Sequence, residues 1–447
     1  MVKKYFGTDG VRGIANIYPI TSDIALKIGM AAGLFLSNGS HKKRVVIAKD
    51  TRLSGYMLES AMTSGFTAVG MDVFLLGPMP TPAVSLLTKS LRADLGVMIS
   101  ASHNTYEYNG IKIFGSDGYK LTDSEEIEIE NIIQNLDNLD IDRKKIGKAK
   151  RIDDAQARYI EYIKGTIDRK INFEGLKVVI DSANGSGYKV SPQALWELGA
   201  EVISIGNQPN GLNINLEYGS TSLNNIIQRV KLEKADIGIA LDGDADRIIV
   251  IDELGNIING DALLAIIASE WQDRGLLLKD GVVATSMSNH GLEDYLMNRN
   301  INLYRTEIGD RYVVEFMKEH GYNIGGEQSG HIIIRDYATT GDGLLAAIQI
   351  LAIMKKYKKP ISELSEKMNV IPQILRNFRY DKKQDIDISE IQEINRVAQK
   401  KIGSKGRILV RLSGTEPLIR VMGESKDELY LIKTINELLQ ILKNKFS

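Results

Sequence analysis

The sequence contains no cysteine, and this absence excludes disulfide bonds and thiolate chemistry. Aromatic residues make up only 6% of the chain, and no apolar run is long enough to cross a bilayer. The segment Met1 to Phe6 has no apolar signal region, so we expect a cytoplasmic protein. Neither sign of charge is in excess, because 56 basic and 57 acidic residues leave a net charge of −1. This balance gives no overall field for nucleic acid or membranes and favours small-molecule partners.

The sequence contains an internal repeat of three units with the same order of predicted elements. Each unit has an apolar strand, a helix, a second strand, a third strand, a polar loop and a fourth strand. The first strands span 45–50, 178–182 and 282–286, and the fourth strands span 110–114, 247–250 and 331–334. Strands that alternate with helices predict mixed, mostly parallel sheets with helices on both faces.

Length and repeat together predict the domain organisation. With 447 residues, of which 43% are hydrophobic and 25% charged, the chain is long enough for three or four domains. We predict an α/β protein with three similar mixed-sheet α/β domains around a central cleft and a smaller C-terminal α+β domain. The predicted limits are 1–155, 156–253, 254–369 and 370–447. The segment Asp123 to Lys164 is expected to form the first connection, and Lys367 to Pro372 the last.

Three carboxylates lie within five residues in the loop of the second unit, Asp242-Gly243-Asp244-Ala245-Asp246. They repel one another unless a cation neutralises them, and they follow a predicted buried strand at the edge where open α/β sheets bind ligands. Hard oxygen ligands of this kind suit Mg²⁺ better than zinc. A calcium loop is the rival, since Glu253 falls at its twelfth position, but its sixth position requires glycine and holds Arg247. A solvated acidic turn is the remaining alternative.

Several motifs occur in the order seen in α-D-phosphohexomutases, a family that the chain resembles from Tyr5 to its C-terminus. The motifs are Phe6 to Gly13, Gly77 to Pro82, Ser102-His103-Asn104, the acidic loop, Gly326 to His331 and Ser413 to Pro417. The family moves a phosphoryl group between two hydroxyls of a hexose phosphate. Within it, the chain is most similar to members that interconvert glucosamine 6-phosphate and glucosamine 1-phosphate on the route to UDP-N-acetylglucosamine.

The resemblance implies catalytic roles for several residues in or near these motifs. Ser102 is implied to be a phosphoserine, and its phosphate to join the three aspartates as ligands of one Mg²⁺ per chain. The implied acid, base and phosphate-contacting groups are Lys112, His331, Arg12 and Arg247. Taken alone, Ser102 could be a turn residue, Lys112 a surface charge and His331 a satisfied core histidine.

A second group of residues is implied to bind the sugar. Glu327 and Ser329 resemble the pair that contacts the sugar hydroxyls, on a glycine-rich turn that allows close approach of the backbone. Gln328 favours the amino-sugar branch, because glucose-type relatives often carry an acid there and mannose/glucose-type relatives a methionine. The segment Gly309-Asp310-Arg311 is expected to shape the same pocket, although a simple interdomain turn is the equal alternative.

The last motif is expected to bind the substrate phosphate that is not reacting. It combines a hydroxyl and glycine turn with arginines, whose planar forks match phosphate. Its members are Arg411, Ser413, Gly414, Thr415 and Arg420. An ordinary hairpin with a pair of charges is the alternative.

The resemblance also implies glucosamine 1,6-bisphosphate as intermediate and activator, and a homodimer. A phosphoglucomutase or phosphomannomutase with the same machinery is the nearest alternative activity. A metal-dependent sugar phosphatase would use the acidic loop but would need neither Ser102 nor a remote phosphate anchor. A noncatalytic sugar-phosphate-binding protein would not need Lys112, His331 and the metal together.

Overall fold

The computed structural model describes residues 3–7, 9–35, 42–138, 144–366, 368–380, 386–412 and 418–446. Contacts divide the chain into two compact units. The first comprises Met1–Ser286 and Ile301–Lys367, and the second comprises Met287–Asn300 and Met368–Ser447. None of the helices within the described ranges has both the length and the apolar composition that crossing a bilayer requires.

The first sheet is built from the N-terminal part of the first unit. Its strands are β1 (Val11–Ile14), β2 (Arg44–Lys49), β3 (Asp72–Pro78), β4 (Leu95–Ile99), β5 (Tyr108–Gly115) and β6 (Ala149–Arg151). The accompanying helices are α1 (Ser22–Phe35), α2 (Ser54–Ala68), α3 (Thr81–Ser90), α4 (Asp123–Asn135), a 3₁₀ turn (Leu136–Asn138) and α5 (Ala155–Lys164). The strand order is β1-β5-β4-β2-β3-β6. All of β2 beyond Arg44 is buried, as a strand covered on both faces requires.

The second sheet follows the first in sequence and has five strands. The strands are β7 (Lys177–Asp181), β8 (Glu201–Ile205), β9 (Ile237–Leu241), β10 (Ile248–Asp252) and β11 (Ile257–Ile258). The helices are α6 (Val190–Glu197) and α7 (Asn224–Glu233). The strand order is β11-β10-β9-β7-β8, with β9 and β10 antiparallel.

The third sheet completes the first unit. Its strands are β12 (Gly281–Thr285), β13 (Asn302–Thr306), β14 (Ile324–Gly326) and β15 (Ile332–Ile334). The helices of this region are α8 (Gly260–Asp273), a 3₁₀ turn (Leu278–Asp280), α9 (His290–Met297), α10 (Asp310–His320), α11 (Gly343–Tyr357) and α12 (Ile361–Ser365). The strand order is β13-β12-β14-β15, with β14 and β15 antiparallel.

One topology recurs in the three sheets, which confirms the predicted repeat and the α/β fold class. The matching orders are β5-β4-β2-β3, β10-β9-β7-β8 and β15-β14-β12-β13. In each sheet the fourth strand of the unit pairs antiparallel with the third. The loop between these two strands is therefore the same structural position in each unit, and it carries the motif residues in all three.

The second unit has a three-stranded antiparallel sheet and is an α+β structure. Its elements are β16 (Gln373–Arg379), α13 (Ile388–Ile402), a 3₁₀ turn (Gly403–Lys405), β17 (Gly406–Leu412), β18 (Leu418–Ser425) and α14 (Glu428–Phe446), with strand order β16-β18-β17. Helix α9, which falls within the predicted limits 254–369, belongs to this unit by its contacts. The preceding Asn289 accounts for part of this grouping, because its Nδ2 donates to the carbonyl of Ile371 at 2.9 Å.

Candidate active site

Ser102 lies in the loop between β4 and β5 and is buried. Its backbone has a φ of 51°, in the left-handed region that non-glycine residues rarely occupy. The Oγ atom donates to Oδ2 of Asp242 at 2.5 Å, and the backbone N–H donates to Oγ of Ser100 at 3.0 Å. The serine hydroxyl of the first repeat therefore meets the acidic loop of the second.

Asp242, Asp244 and Asp246, called the acid cluster below, follow β9 and are all buried. One carboxylate oxygen from each of the three lies within 4.8 Å of those of the other two. Burial and the charges of Asp246 and Asp244 raise the pKa of Asp242 well above its usual range. Within the described residues, Oδ1 of Asp244 and Oδ1 of Asp246 accept no hydrogen bond. Buried carboxylate oxygens without donors are costly, and a cation among them would remove that cost, so the cluster could hold a metal ion.

Lys112 projects from β5 into the acid cluster and is buried. Its Nζ lies 2.8 Å from Oδ2 of Asp244, 3.4 Å from Oδ2 of Asp246 and 3.5 Å from Oδ2 of Asp9. Burial alone would lower the pKa of Lys112, but these carboxylates raise it above its ordinary value. Lys112 is therefore a buried charged group at the acid cluster rather than a surface lysine.

His331 immediately precedes β15 and is buried next to Asp246. Its Nδ1 lies 3.7 Å from Oδ1 of Asp246, and its Nε2 lies 3.5 Å from Oδ2 of Asp310. Burial lowers the pKa of His331, whereas the two carboxylates raise it, with a raised pKa as the net result. The backbone N–H of Gly341 approaches Nε2 at 3.0 Å and favours the neutral ring with its proton on Nδ1. These opposing influences suit a group that changes its protonation state.

Arg12 and Arg247 bring positive charge to the same centre. Arg12, on β1, contacts the carboxylate of Asp9. The Nε atom of Arg247 lies 4.0 Å from Oδ1 of Asp246. Burial lowers the pKa of Arg247, while Asp246 and Asp242 raise it above its ordinary value. Both guanidinium groups are therefore charged next to the acid cluster.

The predicted sugar loop, between β14 and β15, is held against the acidic loop by its backbone. The N–H of Ile248 donates to the carbonyl of Gly330 at 3.0 Å. Gly330 has a φ of 93°, and a Cβ there would lie 1.9 Å from the carbonyl oxygen of Ile248, so only glycine fits. Oε1 of Glu327 accepts from the N–H of Gly309 at 3.2 Å, and the Oγ of Ser329 lies 3.4 Å from its Oε2. Gln328 is half-buried beside them.

Arg311 points away from this loop, toward α4. Its Nη2 donates to Oε1 of Glu126 at 2.9 Å and to the carbonyl of Leu121 at 2.5 Å. A further contact joins its Nη1 to Asp123. The hydrogen bonds of Arg311 thus run to Leu121, Asp123 and Glu126, and they join α10 to the start of α4.

Arg411 and Arg420 lie in the second unit on neighbouring strands. They are direct cross-strand partners, Arg411 on β17 and Arg420 on β18. Burial and the charge of Arg420 lower the pKa of Arg411. Like charges directly opposite each other on neighbouring strands are destabilising. Ser413, Gly414 and Thr415 lie outside the described residues.

Lys120 extends the site beyond the residues that the sequence singled out, and it joins Asp9 to Asp310. The Nζ of Lys120 lies 2.5 Å from Oδ1 of Asp9 and 2.5 Å from Oδ2 of Asp310. Asp9 also contacts Lys112, and Asp310 contacts His331. Lys112 and His331 both approach Asp246, so basic and acidic side chains alternate around a closed ring. Asp9 lies in the Phe6 to Gly13 motif and Asp310 adjoins Gly309, but Lys120 carries no signal in the sequence.

Comparisons with known proteins agree with this geometry. Four phosphoglucomutase/phosphomannomutase profiles match the chain: α/β/α domain I at 3–140, domain II at 157–255, domain III at 259–370 and the C-terminal domain at 375–437. A phosphoglucosamine mutase from Parvibaculum lavamentivorans is 54% identical over 446 residues, which cover 99% of each chain.

Solved structures share the fold. A phosphoglucomutase/phosphomannomutase family protein from Burkholderia thailandensis superposes with a TM-score of 0.84 at 24% identity, over 99% of this chain and 98% of the other. The N-acetylphosphoglucosamine mutase of Aspergillus fumigatus, solved with GlcNAc-6P and magnesium, gives a TM-score of 0.70 at 15% identity, over 99% and 96% of the two chains. With its three repeated α/β sheets, its serine and acid loops and the match of all four domain profiles, this chain belongs to the phosphoglucomutase/phosphomannomutase family of enzymes.

Proposed function

We propose that this protein is a phosphoglucosamine mutase, which interconverts glucosamine 6-phosphate and glucosamine 1-phosphate. The observation that carries the proposal is the convergence of Ser102, Lys112 and His331 on one acid cluster. A relative with this name is 54% identical over nearly the whole chain. Gln328, which is neither the acid nor the methionine of other branches, supports an amino sugar as the substrate.

Ser102 is the residue that carries the phosphoryl group between two half-reactions. In the first, the bond between Oγ of Ser102 and phosphorus breaks while a hydroxyl oxygen of the sugar phosphate forms a new bond to phosphorus. The hydroxyl gives up its proton to a base, and Oγ gains one from an acid. The product of this step is glucosamine 1,6-bisphosphate. In the second half-reaction the other phosphoryl group returns to Oγ of Ser102, so atoms and protons balance over the cycle.

Lys112 and His331 supply the acid and the base. Their nitrogen atoms lie 2.8 Å from Asp244 and 3.7 Å from Asp246 respectively, so both groups border the place where the phosphoryl group is transferred. Arg12 and Arg247 hold the phosphoryl oxygens, for which their charged planar forks are suited. The acid cluster and the phosphate on Ser102 would hold Mg²⁺, which when bound neutralises charge that develops on the transferring group.

The remaining polar groups bind the two ends of the substrate. Glu327, Gln328 and Ser329 contact the sugar, and Gly309 shapes the backbone that faces Glu327. Arg411 and Arg420 hold the phosphate that is not reacting, and this anion would offset the repulsion between them. Ser413, Gly414 and Thr415 complete this phosphate site in the proposal.

The proposed enzyme is a cytoplasmic homodimer. Each chain has four domains, with limits at 1–155, 156–253, 254–369 and 370–447. Glucosamine 1,6-bisphosphate acts as activator, because it restores the phosphate on Ser102 after an intermediate has escaped. Light scattering on the purified protein would measure the oligomeric state.

The decisive experiment compares glucosamine 6-phosphate, glucose 6-phosphate and mannose 6-phosphate side by side with purified protein. We expect the highest kcat/KM for glucosamine 6-phosphate, one phosphate on Ser102 by peptide mass spectrometry, and loss of activity in excess EDTA. Ser102→Ala should be folded and inactive, whereas Ser116→Ala, at an exposed loop serine of the same region, should be normal. Activity in Ser102→Ala would exclude the covalent mechanism, and a preference for glucose or mannose phosphate would assign the alternative mutase activity.

A further inference from the structure

Two donors outside the reacting groups converge on the backbone of the serine loop. The carbonyl of Ser102 accepts from Nη2 of Arg52 at 3.2 Å and from Nδ2 of Asn215 at 2.8 Å. The carbonyl of Asn104 accepts from the same two nitrogens, at 2.6 Å and 2.8 Å. Each donor therefore spans both carbonyls, and each carbonyl receives both donors.

Arg52 is fixed in place by a buried carboxylate. It follows β2 and is 0% exposed, as is Asp50. The backbone N–H of Arg52 donates to Oδ1 of Asp50 at 2.9 Å, and its Nη1 contacts the same carboxylate. Because Asp50 neutralises the guanidinium, Arg52 acts on the serine loop through directed hydrogen bonds rather than through net charge.

Asn215 reaches the loop from the second sheet. Its backbone N–H donates to the carbonyl of Ala183 at 2.8 Å, and its own φ is 58°. Gly243 of the acidic loop lies against the same contact, since a Cβ there would be 2.6 Å from the carbonyl oxygen of Ser102 and 2.8 Å from Nδ2 of Asn215. The hydrogen bond from Asn215 to the serine loop therefore packs directly against the loop that carries the acid cluster.

The conformation of Ser102 requires such support. A non-glycine residue in the left-handed region costs roughly 1–3 kcal/mol and persists only where its surroundings determine it. With a φ of 51°, Ser102 directs its Oγ to Asp242, at 2.5 Å. If the loop relaxed to an ordinary conformation, Oγ would leave the acid cluster.

We propose that Arg52 and Asn215 are positioning residues that hold Oγ of Ser102 at the acid cluster through the carbonyls of Ser102 and Asn104. They touch neither the sugar nor the transferring phosphoryl group. Since the same Oγ gives up and takes back a phosphoryl group, loosening it slows both half-reactions. This inference rests on the proposed role of Ser102 as the phosphoserine.

The test measures single-turnover phosphoryl transfer from phosphorylated enzyme to glucosamine 6-phosphate by rapid quench. Asn215→Ala removes one donor without burying a charge, and Arg52→Lys keeps a cation for Asp50 but cannot span two carbonyls. We expect the rate constant to fall about 10–100-fold in each, as for a misplaced reactant, with the phosphorylated fraction and the KM close to wild type. If Arg52→Lys does not fold, the rate constant of Asn215→Ala still tests the positioning role.

Matched controls come from the third sheet. Asn323 is buried and its Nδ2 donates to the carbonyl of Leu276 at 3.0 Å, while Nη1 of Arg335 donates to the carbonyl of Met317 at 2.9 Å. Asn323→Ala and Arg335→Lys remove comparable bonds far along the chain from the serine loop. They should lower the melting temperature but leave the rate constant unchanged.

The outcomes separate the two proposals. A lower amplitude with a wild-type rate constant in Asn215→Ala would mean that the residue only stabilises the fold, and would overturn the positioning role. A wild-type rate constant together with a wild-type amplitude in Asn215→Ala would also overturn the positioning role. Activity in Ser102→Ala, or phosphate on another residue, would instead refute the proposed function.

Discussion

Nζ of Lys112 lies 2.8 Å from Oδ2 of Asp244, and both side chains are buried. An ammonium group thus contacts a carboxylate that is also a candidate metal ligand. In the proposed function Lys112 exchanges a proton with the substrate, and its position also lets it compete with a cation for Asp244. Replacing Lys112 should affect these two properties in opposite directions.

Lys112→Met removes the ammonium group and keeps most of the length of the side chain. We expect kcat to fall about 10²–10⁴-fold, the usual contribution of a proton-transfer group. Calorimetric titration with Mg²⁺ should show affinity that is equal to or tighter than wild type, because a competing cation has been removed. Lys318→Met, at an exposed ion pair with Asp117, is the control and should be normal in both assays. A kcat within threefold of wild type would remove Lys112 from the chemistry.

Arg311→Met tests whether this arginine serves packing or substrate. Its contacts with Glu126 are buried, and breaking a buried pair costs up to about 3–5 kcal/mol. Lys3 offsets part of that cost here, because its Nζ also lies 2.5 Å from Oε2 of Glu126. We expect the free energy of unfolding to fall by part of that amount, with KM for glucosamine 6-phosphate unchanged in the folded variant. Arg158→Met, at an exposed pair with Asp154, should leave the free energy of unfolding close to that of wild type. A raised KM with normal stability would place Arg311 in the substrate pocket instead.

The contrast between Arg311 and the acid cluster shows what the sequence could predict. Apolar runs such as those of β2, β7 and β12 determine strands locally, and three nearby aspartates repel one another wherever the chain places them. These features were predictable. The carboxylates of Glu126 and Asp123 are more than 180 positions from Arg311 in sequence, and no local pattern pairs them.

Lys120, Arg52 and Asn215 were missed for the same reason. Each is a single polar residue in or near a loop, and its role depends on partners that only the folded chain brings together. Asn215, for example, meets the carbonyl of Ser102, which is 113 positions away. Motifs identify residues that react, whereas the residues that hold them in place leave no comparable pattern.

Gln328 is predicted to contribute to the choice between sugars. Its side chain is half-buried beside Glu327, on the loop that the β10 backbone holds in place. We expect Gln328→Glu and Gln328→Met to change the ratio of kcat/KM for glucosamine and glucose 6-phosphates by about 1–3 kcal/mol, the usual range for one altered contact. A ratio that stays constant in both variants would mean that discrimination lies in other residues.

Arg420→Ala is predicted to weaken retention of the substrate phosphate. Loss of a charge-assisted contact should raise KM by an amount equivalent to about 2–4 kcal/mol and increase dependence on added glucosamine 1,6-bisphosphate. Phosphorylation of Ser102 and binding of Mg²⁺ should stay near wild type. The control is Arg396→Ala, on the exposed face of α13. If KM and the dependence on added glucosamine 1,6-bisphosphate are both unchanged, Arg420 does not hold the substrate phosphate.

Asp342 is predicted to make stability fall as pH rises. This side chain caps α11, and its Oδ1 accepts from the N–H of Leu345 and from the hydroxyl of Tyr159, each at 2.9 Å. Burial raises the pKa of Asp342 to about 7, whereas an unfolded chain has an aspartate pKa of about 3.9. Between these two values the folded protein holds a proton that the unfolded chain has lost. Stability therefore declines through this window and stays lower above it.

Asp342→Asn removes this titration and keeps a side chain that caps helices equally well. The variant should match wild type near pH 4 and gain on it as pH rises, reaching about 2–4 kcal/mol of extra stability near pH 7. Urea unfolding at several pH values measures the difference. The control is Asp387→Asn at the cap of α13, where the bond from Ser389 lowers the pKa of Asp387, so neutral pH should bring no gain there. A difference between Asp342→Asn and wild type that does not vary with pH would show that Asp342 is ionised in the folded protein throughout the range.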